Sequence, residues 1–250
     1  MLHLIGIGLG NELDITLKGL ETIRKCSDIY LEGYTSKINA TKSQLEQLYG
    51  REIMIVDRSY VENLSSDIIK RAKTKEVAFL VIGDALSATT HISLLMQAKE
   101  EGVETQVIHN ASILNVVSDT GLSLYKFGKT PSIPFQNEDI ETPYLILKDN
   151  LSINAHTLCL LDLMPHDEIF MTVNEAIEYL LRTEQKKKLN IFTKDTMVVA
   201  CCKLGSDDFV IKYAKAADIS RETFDKFPQC LIIPSKLHFV EEDFLHTFSL

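Results

Sequence analysis

The sequence predicts an α/β protein of two dissimilar domains: a parallel-sheet domain over residues 1–112 and a mixed-sheet domain over residues 113–250, with a small-molecule cleft between them. Three features carry that prediction. Up to Ile108, five apolar strand-like runs alternate with helical runs, the pattern of a parallel sheet. Over residues 128–141 the periodicity lapses, with Pro131 and Pro134 among polar residues, and the junction falls there or just ahead of it. In the last third, residues 196–204 and 209–214 flank the turn Gly205-Ser206-Asp207-Asp208 as an antiparallel pair.

Taken in order, the first strand holds Leu2, Leu4, Ile5, Ile7 and Leu9, too uniformly apolar for a strand with one wet face, so it is placed centrally in a parallel sheet. Gly6, Gly8 and Gly10 at its end admit positive φ and close approach of the backbone to a ligand. A helix follows over residues 16–26, with Leu17, Leu20 and Ile23 on one face and Asp14 as its N-cap. Residues 28–31 form the second strand and lead into Glu32. Strand, glycines, helix and an acid about twenty residues on outline a dinucleotide-binding unit. The spacing departs from it, being Gly-x-Gly-x-Gly with several residues between Gly10 and the helix, so a pyrophosphate could not rest on both the glycines and the helix N-terminus.

Residues 52–56 read as a short strand and residues 63–73 as a helix. Six consecutive apolar residues, 77–82, make the strongest buried strand, and it ends at Gly83-Asp84. Open α/β sheets bind ligands at the carboxyl ends of their strands, so Asp84 is read as a ligand contact in preference to a simple turn closer. Thr89 or Thr90 caps the next helix, which presents Ile92, Leu95 and Ala98 and stops at Gly102. The strand over residues 105–108 runs into His109-Asn110-Ala111-Ser112-Ile113-Leu114. On residue type alone, Asn110 or Ser112 is a helix cap and His109 a structural histidine. Past the junction come a helix over residues 144–153 and an apolar strand over residues 157–163. Thr172-Val173-Asn174-Glu175 is a capping box ahead of Ala176, Ile177, Leu180 and Leu181. A strand over residues 229–233 and an amphipathic helix over residues 238–248 close the chain.

Composition excludes several classes. A formal net charge of −9 argues against a nucleic-acid partner, which needs a basic surface to replace phosphate counterions. The basic run Lys186-Lys187-Lys188 follows a predicted helix, where cations complement the dipole. No apolar run reaches the ~18 residues that span a bilayer, and the glycine-broken N-terminus is no secretory signal, so no membrane partner and a cytoplasmic location are expected. The five cysteines lack Cys-x-x-Cys spacing and paired histidines; they read as reduced core thiols, with no metal site. Neither a Gly-x-Ser-x-Gly frame nor a Gly-x-x-x-x-Gly-Lys-Ser/Thr loop is present, which weakens hydrolase and nucleotidase readings.

Beyond this, the chain resembles a known family. The segments Leu-Ile-Gly-Ile-Gly-Leu-Gly-Asn with Asp14-Ile15-Thr16, Tyr30-Leu31-Glu32 with Tyr34-Thr35-Ser36, Gly83-Asp84 with Ala88-Thr89-Thr90-His91, and the run from Val107 to Asn115 resemble those of the diphthine synthases. Collinear matches continue at Leu124-Tyr125-Lys126-Phe127-Gly128-Lys129-Thr130, at the stretch from His156 to Leu163, at Met171-Thr172-Val173-Asn174-Glu175-Ala176, and at Lys236-Leu237-His238-Phe239-Val240-Glu241.

That resemblance implies a tetrapyrrole methylase-like fold and an S-adenosylmethionine-dependent methyltransferase of diphthamide biosynthesis. Its implied partner is translation elongation factor 2 carrying an aminocarboxypropyl-extended histidine, whose amine is methylated, and it implies a homodimer. Carried over by motif, the cofactor-binding positions are Leu9, Asp84, Ser87, Ser112, Ile113, Leu163, Leu204 and His238, with Gly8, Gly10 and Asn11 on the substrate side. No general base is assigned. Departures from the family pattern occur at Ala85, at Cys202-Lys203-Leu204-Gly205-Ser206, at Gln229, and at Pro234-Ser235-Lys236. Lys203 in place of an arginine keeps the charge but loses the planar fork. The competing readings are a methylase of a small tetrapyrrole-like substrate, a non-catalytic protein that binds a nucleotide-like ligand and, third, a dinucleotide-dependent oxidoreductase.

Overall fold

The structure, a computed structural model, describes residues 1–57 and 66–250. The chain divides into two compact units. One is Met1–Val116 with Met164–Asp167 and Gly205–Asp207; the other is Val117–Leu163, Glu168–Leu204 and Asp208–Leu250.

The first unit runs β1 (Leu2–Gly6), α1 (Leu17–Lys25), β2 (Asp28–Glu32), α2 (Lys42–Tyr49), β3 (Met54–Val56), α3 (66–72), β4 (Val77–Val81), α4 (Ile92–Glu100), β5 (Thr105–Ile108) and the short α5 (Ile113–Val116). Residues 63–65 of the helix expected over 63–73 lie outside the described residues. The sheet is wholly parallel, in the order β3-β2-β4-β1-β5, with Ile5 in register with both Leu80 and Ile108. β1 and β4 are buried along their whole length, as their unbroken apolar runs require of strands covered on both faces.

Because strand side chains alternate between faces, the core splits in two. Ile5, Ala78 and Leu80 share a cluster with Ile23 of α1 and with Leu45 and Tyr49 of α2. Leu4, Phe79 and Val81 share another with Ile68, Ile69 and Ala72 of α3 and with Leu94 and Ala98 of α4. Each fully buried Leu, Ile, Val or Phe among them contributes about 1.5–3 kcal/mol relative to exposure. The chain therefore moves outward from β1 to β3 with helices on one face and returns through β4 to β5 with helices on the other, as right-handed crossovers require. β1 and β4 are neighbours whose continuations leave to opposite faces, and such a switch point opens a crevice at the carboxyl ends of the strands.

Local details differ from expectation in three places. The N-cap of α1 is Thr16, whose hydroxyl accepts the Gly19 N–H at 3.0 Å; Asp14 lies in a preceding single turn and is engaged elsewhere. α4 starts after His91, which has no side-chain cap of its own; of the two threonines, Thr89 accepts the His91 N–H at 3.4 Å just ahead of the helix. His91 already has helical dihedrals, whereas a cap needs an extended residue. α2 has no counterpart in the periodicity because it buries only Leu45 and Tyr49, yet it opens with a full Thr41/Gln44 capping box.

Beyond Val116 the elements are β6 (Ser132–Ile133), α6 (Thr142–Ser152), β7 (Thr157–Leu161), β8 (Leu163–Met164), β9 (Ile169–Phe170), α7 (Val173–Lys187), β10 (Met197–Cys202), β11 (Val210–Lys215), α8 (Ala216–Ile219), β12 (Gln229–Ile233) and α9 (Phe239–His246). The sheet of the second unit has the order β11-β10-β12-β7-β6; β6 is parallel to β7 and the other pairs are antiparallel, giving the expected mixed sheet. The capping box at Thr172 and Glu175 opens α7, and Lys186 and Lys187 occupy its last turn. All five cysteines are free and buried, and burial pushes the Cys202 thiol up to about 12.

Candidate active site at the carboxyl edge of the parallel sheet

The loop after β1 and the loop after β4 are stitched together beyond the ends of their strands. Gly8 donates to the Gly83 carbonyl at 3.2 Å and Gly83 donates to the Gly8 carbonyl at 2.8 Å, a short antiparallel bridge grafted on a parallel pair. Both residues hold φ in the left-handed region, +83° and +85°, which explains glycine at each. A Cβ on Gly8 would lie 2.3 Å from the Cβ of Asp14. Asp14 is that close because its carboxylate binds the loop it follows, accepting the N–H of Gly10 at 2.6 Å and that of Leu9 at 3.2 Å. Asn11 accepts the Leu13 N–H at 2.9 Å and so caps the single turn that carries Asp14. Leu9 and Gly10 are thus held by a carboxylate expected to cap a helix, while Gly8 is held by its bridge to Gly83.

Asp84 is the hub of the next two loops and is only 5% exposed. One carboxylate oxygen accepts the N–H groups of Leu86 and Ser87, each at 3.0 Å, and the Ser87 hydroxyl at 2.8 Å. The other accepts the Asn110 N–H at 3.0 Å and lies 2.8 Å from His109 Nδ1. Burial by itself would raise the carboxyl pKa, but the bonds from Leu86, Asn110, Ser87 and His109 outweigh it and hold it down at about 2. Asn110 is a clamp, not a helix cap: its amide donates to the carbonyls of Gly6 and Asp14, both at 3.0 Å. Ser112 is buried and does act as a local cap, taking the Leu114 N–H at 3.3 Å, and Ile113 opens α5. A Cβ placed on Gly83 would stand 3.3 Å from Leu9 Cδ2, 3.7 Å from the Ala111 carbonyl and 4.0 Å from Ser112 Cα. Leu9, Asp84, Ser87, Ser112 and Ile113 therefore belong to three adjoining loops at one edge of one sheet.

His109 departs from its reading as a structural histidine. Its side chain is 68% exposed and, among the described residues, is held only through Nδ1. The strand-end argument that singled out Asp84 applies equally to a residue that directly follows β5, and it is the signal that identifies His109. Glu32, the acid of the dinucleotide outline, is fully buried and turned inward. It accepts the N–H groups of Tyr34, Thr35 and Ile82 at 3.3, 3.0 and 3.3 Å, as well as the Thr35 hydroxyl, and burial pushes its pKa up to about 7.

The remaining candidates sit at ends of elements in the second unit. The Leu163 N–H bonds Asp162 Oδ1 at 3.0 Å. Leu204 is 6% exposed and follows Lys203, whose ammonium pairs with Asp208 at 2.7 Å. His238 is the N-cap of α9, with its N–H on Glu241 Oε2 at 2.8 Å. Glu241, itself buried, also takes the Ser123 N–H at 3.0 Å, the Lys126 ammonium, and His156 Nε2 at 3.4 Å. Gln229 spends its whole amide on structure, accepting from Val173 N–H and donating to the Phe224 and Lys226 carbonyls.

Comparison with known proteins agrees with this architecture. The family described as Tetrapyrrole (Corrin/Porphyrin) Methylases matches residues 1–219. The chain is 41% identical over 248 residues to the diphthine synthase of Methanococcus maripaludis, covering 98% of this chain and 97% of the relative. It is 40% identical over 271 residues to an Arabidopsis thaliana protein named "Probable diphthine methyl ester synthase", covering 99% and 98%. A crystal structure titled as that of diphthine synthase superposes with a TM-score of 0.91 at 35% identity, over 99% of this chain and 95% of the other. With its fold, its strand-end loops and its sequence in agreement over nearly the full length, the chain belongs to the diphthine synthase family, the tetrapyrrole-methylase-like methyltransferases of diphthamide biosynthesis.

Proposed function

We propose that the chain transfers methyl groups from S-adenosylmethionine to the amino group of the aminocarboxypropyl-extended histidine of translation elongation factor 2, acting as a homodimer. The observation that supports this reading most directly is the cluster of three loops around Asp84. The loops 8–11, 83–90 and 109–113 contain no lysine or arginine, while Asp84 supplies a carboxylate held ionised by its hydrogen bonds. That donor set suits a ligand bearing a sulfonium and an ammonium, and it disfavours a pyrophosphate, which would face a buried negative charge with no cation to offset it.

When bound, S-adenosylmethionine supplies an electrophilic methyl group. In the first unit Leu9, Asp84, Ser87, Ser112 and Ile113 are the residues proposed to hold it, and in the second Leu163, Leu204 and His238. Gly8, Gly10 and Asn11 are proposed to lie on the side from which the acceptor enters. Transfer to a neutral amine depends on in-line placement more than on acid catalysis, and orientation alone can lower such a barrier by about 7–11 kcal/mol. The rigid backbone of these loops, pinned by Asp14, Asp84 and Asn110, is suited to that task.

A second acceptor is favoured by the name of the Arabidopsis relative: the carboxylate of the same group, giving a methyl ester. One experiment addresses both. Elongation factor 2 bearing the aminocarboxypropyl group is incubated with the protein and S-adenosylmethionine and its mass is followed before and after mild alkali. Alkali-stable increments are expected from N-methylation and alkali-labile ones from an ester; no increment at all would sink the assignment. Sedimentation checks the dimer.

A further inference from the structure

We propose that His109 is the proton acceptor for the reacting amine, its ring aimed by Asp84; this rests on the amine-methylation reading above. Three observations on β5 and its neighbours point there. His109 directly follows the last residue of β5, on the same sheet edge as the Gly8–Gly83 bridge. Its side chain is exposed, whereas the carboxylate it meets, 2.8 Å from Nδ1, is buried. An ionised carboxylate only accepts, so Nδ1 carries the hydrogen and donates it to Asp84; in the neutral ring Nε2 is then left with its lone pair. Among the described residues Nε2 has no hydrogen-bond partner, and the neighbouring Asn110 N–H shares the same Asp84 oxygen, which ties ring and backbone to one anchor.

The chemistry calls for such a group. Each methyl transfer to an amine leaves an ammonium, whose four-bonded nitrogen has no lone pair, so it must lose one proton before another transfer. In the proposed step the N–H bond breaks, its electron pair stays on nitrogen, and the proton passes to His109 Nε2; the imidazolium, facing Asp84, then releases it to water. Among the described residues, the titratable groups on the loops beside this end of β5 are Asp84 after β4, Glu12 and Asp14 after β1, and His91 ahead of α4. His91 is buried and its pKa is pushed down to about 4, so it is neutral near pH 7. The Asp84 carboxylate in contact with the ring favours a transient imidazolium there.

The test compares the intact wild type with His109→Asn, which keeps a donor toward Asp84 and removes Nε2, and with His109→Gly supplied with free imidazole. Binding of S-adenosylmethionine is followed by calorimetry and successive methyl increments by mass, over a pH series. Donor affinity is expected to stay within about threefold of wild type in His109→Asn. Increments beyond the first are expected to slow by roughly 100-fold near neutral pH, the lower end for removal of a positioned base. The deficit should shrink at alkaline pH, and imidazole should restore the later increments in His109→Gly. Wild-type increments and pH dependence in both variants would overturn the proposal and leave the function intact. So would loss of donor binding in both, or a loss of activity that imidazole does not rescue, since either marks His109 as structural. Absence of increments from the wild type would remove the functional reading, and this proposal with it.

Discussion

Gly8→Ala examines whether the loop after β1 is held as described. The added methyl would stand 2.3 Å from Asp14 Cβ and 3.1 Å from its Cγ, and Gly8 has φ of +83°. Alanine in the left-handed region costs roughly 1–2 kcal/mol. The clash then forces a choice. If Asp14 withdraws, the bonds from Gly10 and Leu9 are lost; hydrogen bonds to a charged group contribute about 1.5–3 kcal/mol each when buried, and less here because the Leu9 bond is exposed. If Gly8 moves instead, the bridge to Gly83 opens. Either way the total is about 2–4 kcal/mol, and binding of the methyl donor is expected to weaken as the Gly83-Asp84 turn shifts. Urea denaturation followed by circular dichroism gives the stability change. The decisive measurement is the same substitution in an Asp14→Gly background, which removes the colliding Cβ. There only the dihedral cost should remain, so the two changes should couple by about 1–2 kcal/mol. A cost below about 1 kcal/mol in the native background, or equal costs in both, would refute the Gly8–Asp14 contact.

Two further outcomes are expected. Glu32 and Asp84 should impose opposite pH dependences. The folded pKa of Glu32, raised to about 7, means that the stability it contributes is complete below its unfolded value near 4.5 and is lost as pH rises through 7. The difference in unfolding free energy between wild type and Glu32→Gln should therefore fall by on the order of 3 kcal/mol across that window. Asp84, held at about 2, should contribute fully above its unfolded value near 3.8 and lose that contribution as pH falls toward 2, seen as a shrinking difference from Asp84→Asn. A pH-independent difference for either variant would contradict the burial and bonding described. In the second unit, Glu241→Gln removes the anion from the part-buried Lys126 ammonium, which keeps its bond to the Lys236 carbonyl at 3.0 Å, and should destabilise by about 1–3 kcal/mol; Lys126→Met in the same background should recover part of the loss. Equal denaturation midpoints for wild type and Glu241→Gln would show that the pair does not contribute.

Much of this was legible in the chain. Unbroken apolar runs such as Val77–Val81 can only be strands covered on both faces, and the 172–175 capping box starts a helix by local hydrogen bonding alone. Position at a strand end was enough to select Asp84. The family's motifs, collinear along the chain, supplied the activity.

Other features depended on distance in space. The partners of Asp14 lie in the glycine loop it follows, and the choice between capping α1 and binding Leu9 and Gly10 rests on where that loop comes to lie against β4. His109 looked like an ordinary buried histidine because residue type carries no information about exposure. Its open Nε2, its bond to a carboxylate 25 residues away, and the Asn110 clamp 104 residues from Gly6 arise only when β4, β1 and β5 lie side by side. The physical reason is one of range. Periodicity and capping are decided within a few residues, so the sequence alone determines them. A carboxylate's hydrogen-bond partners, and with them its pKa and its chemical role, are decided by groups that only the completed sheet brings within 3 Å of it.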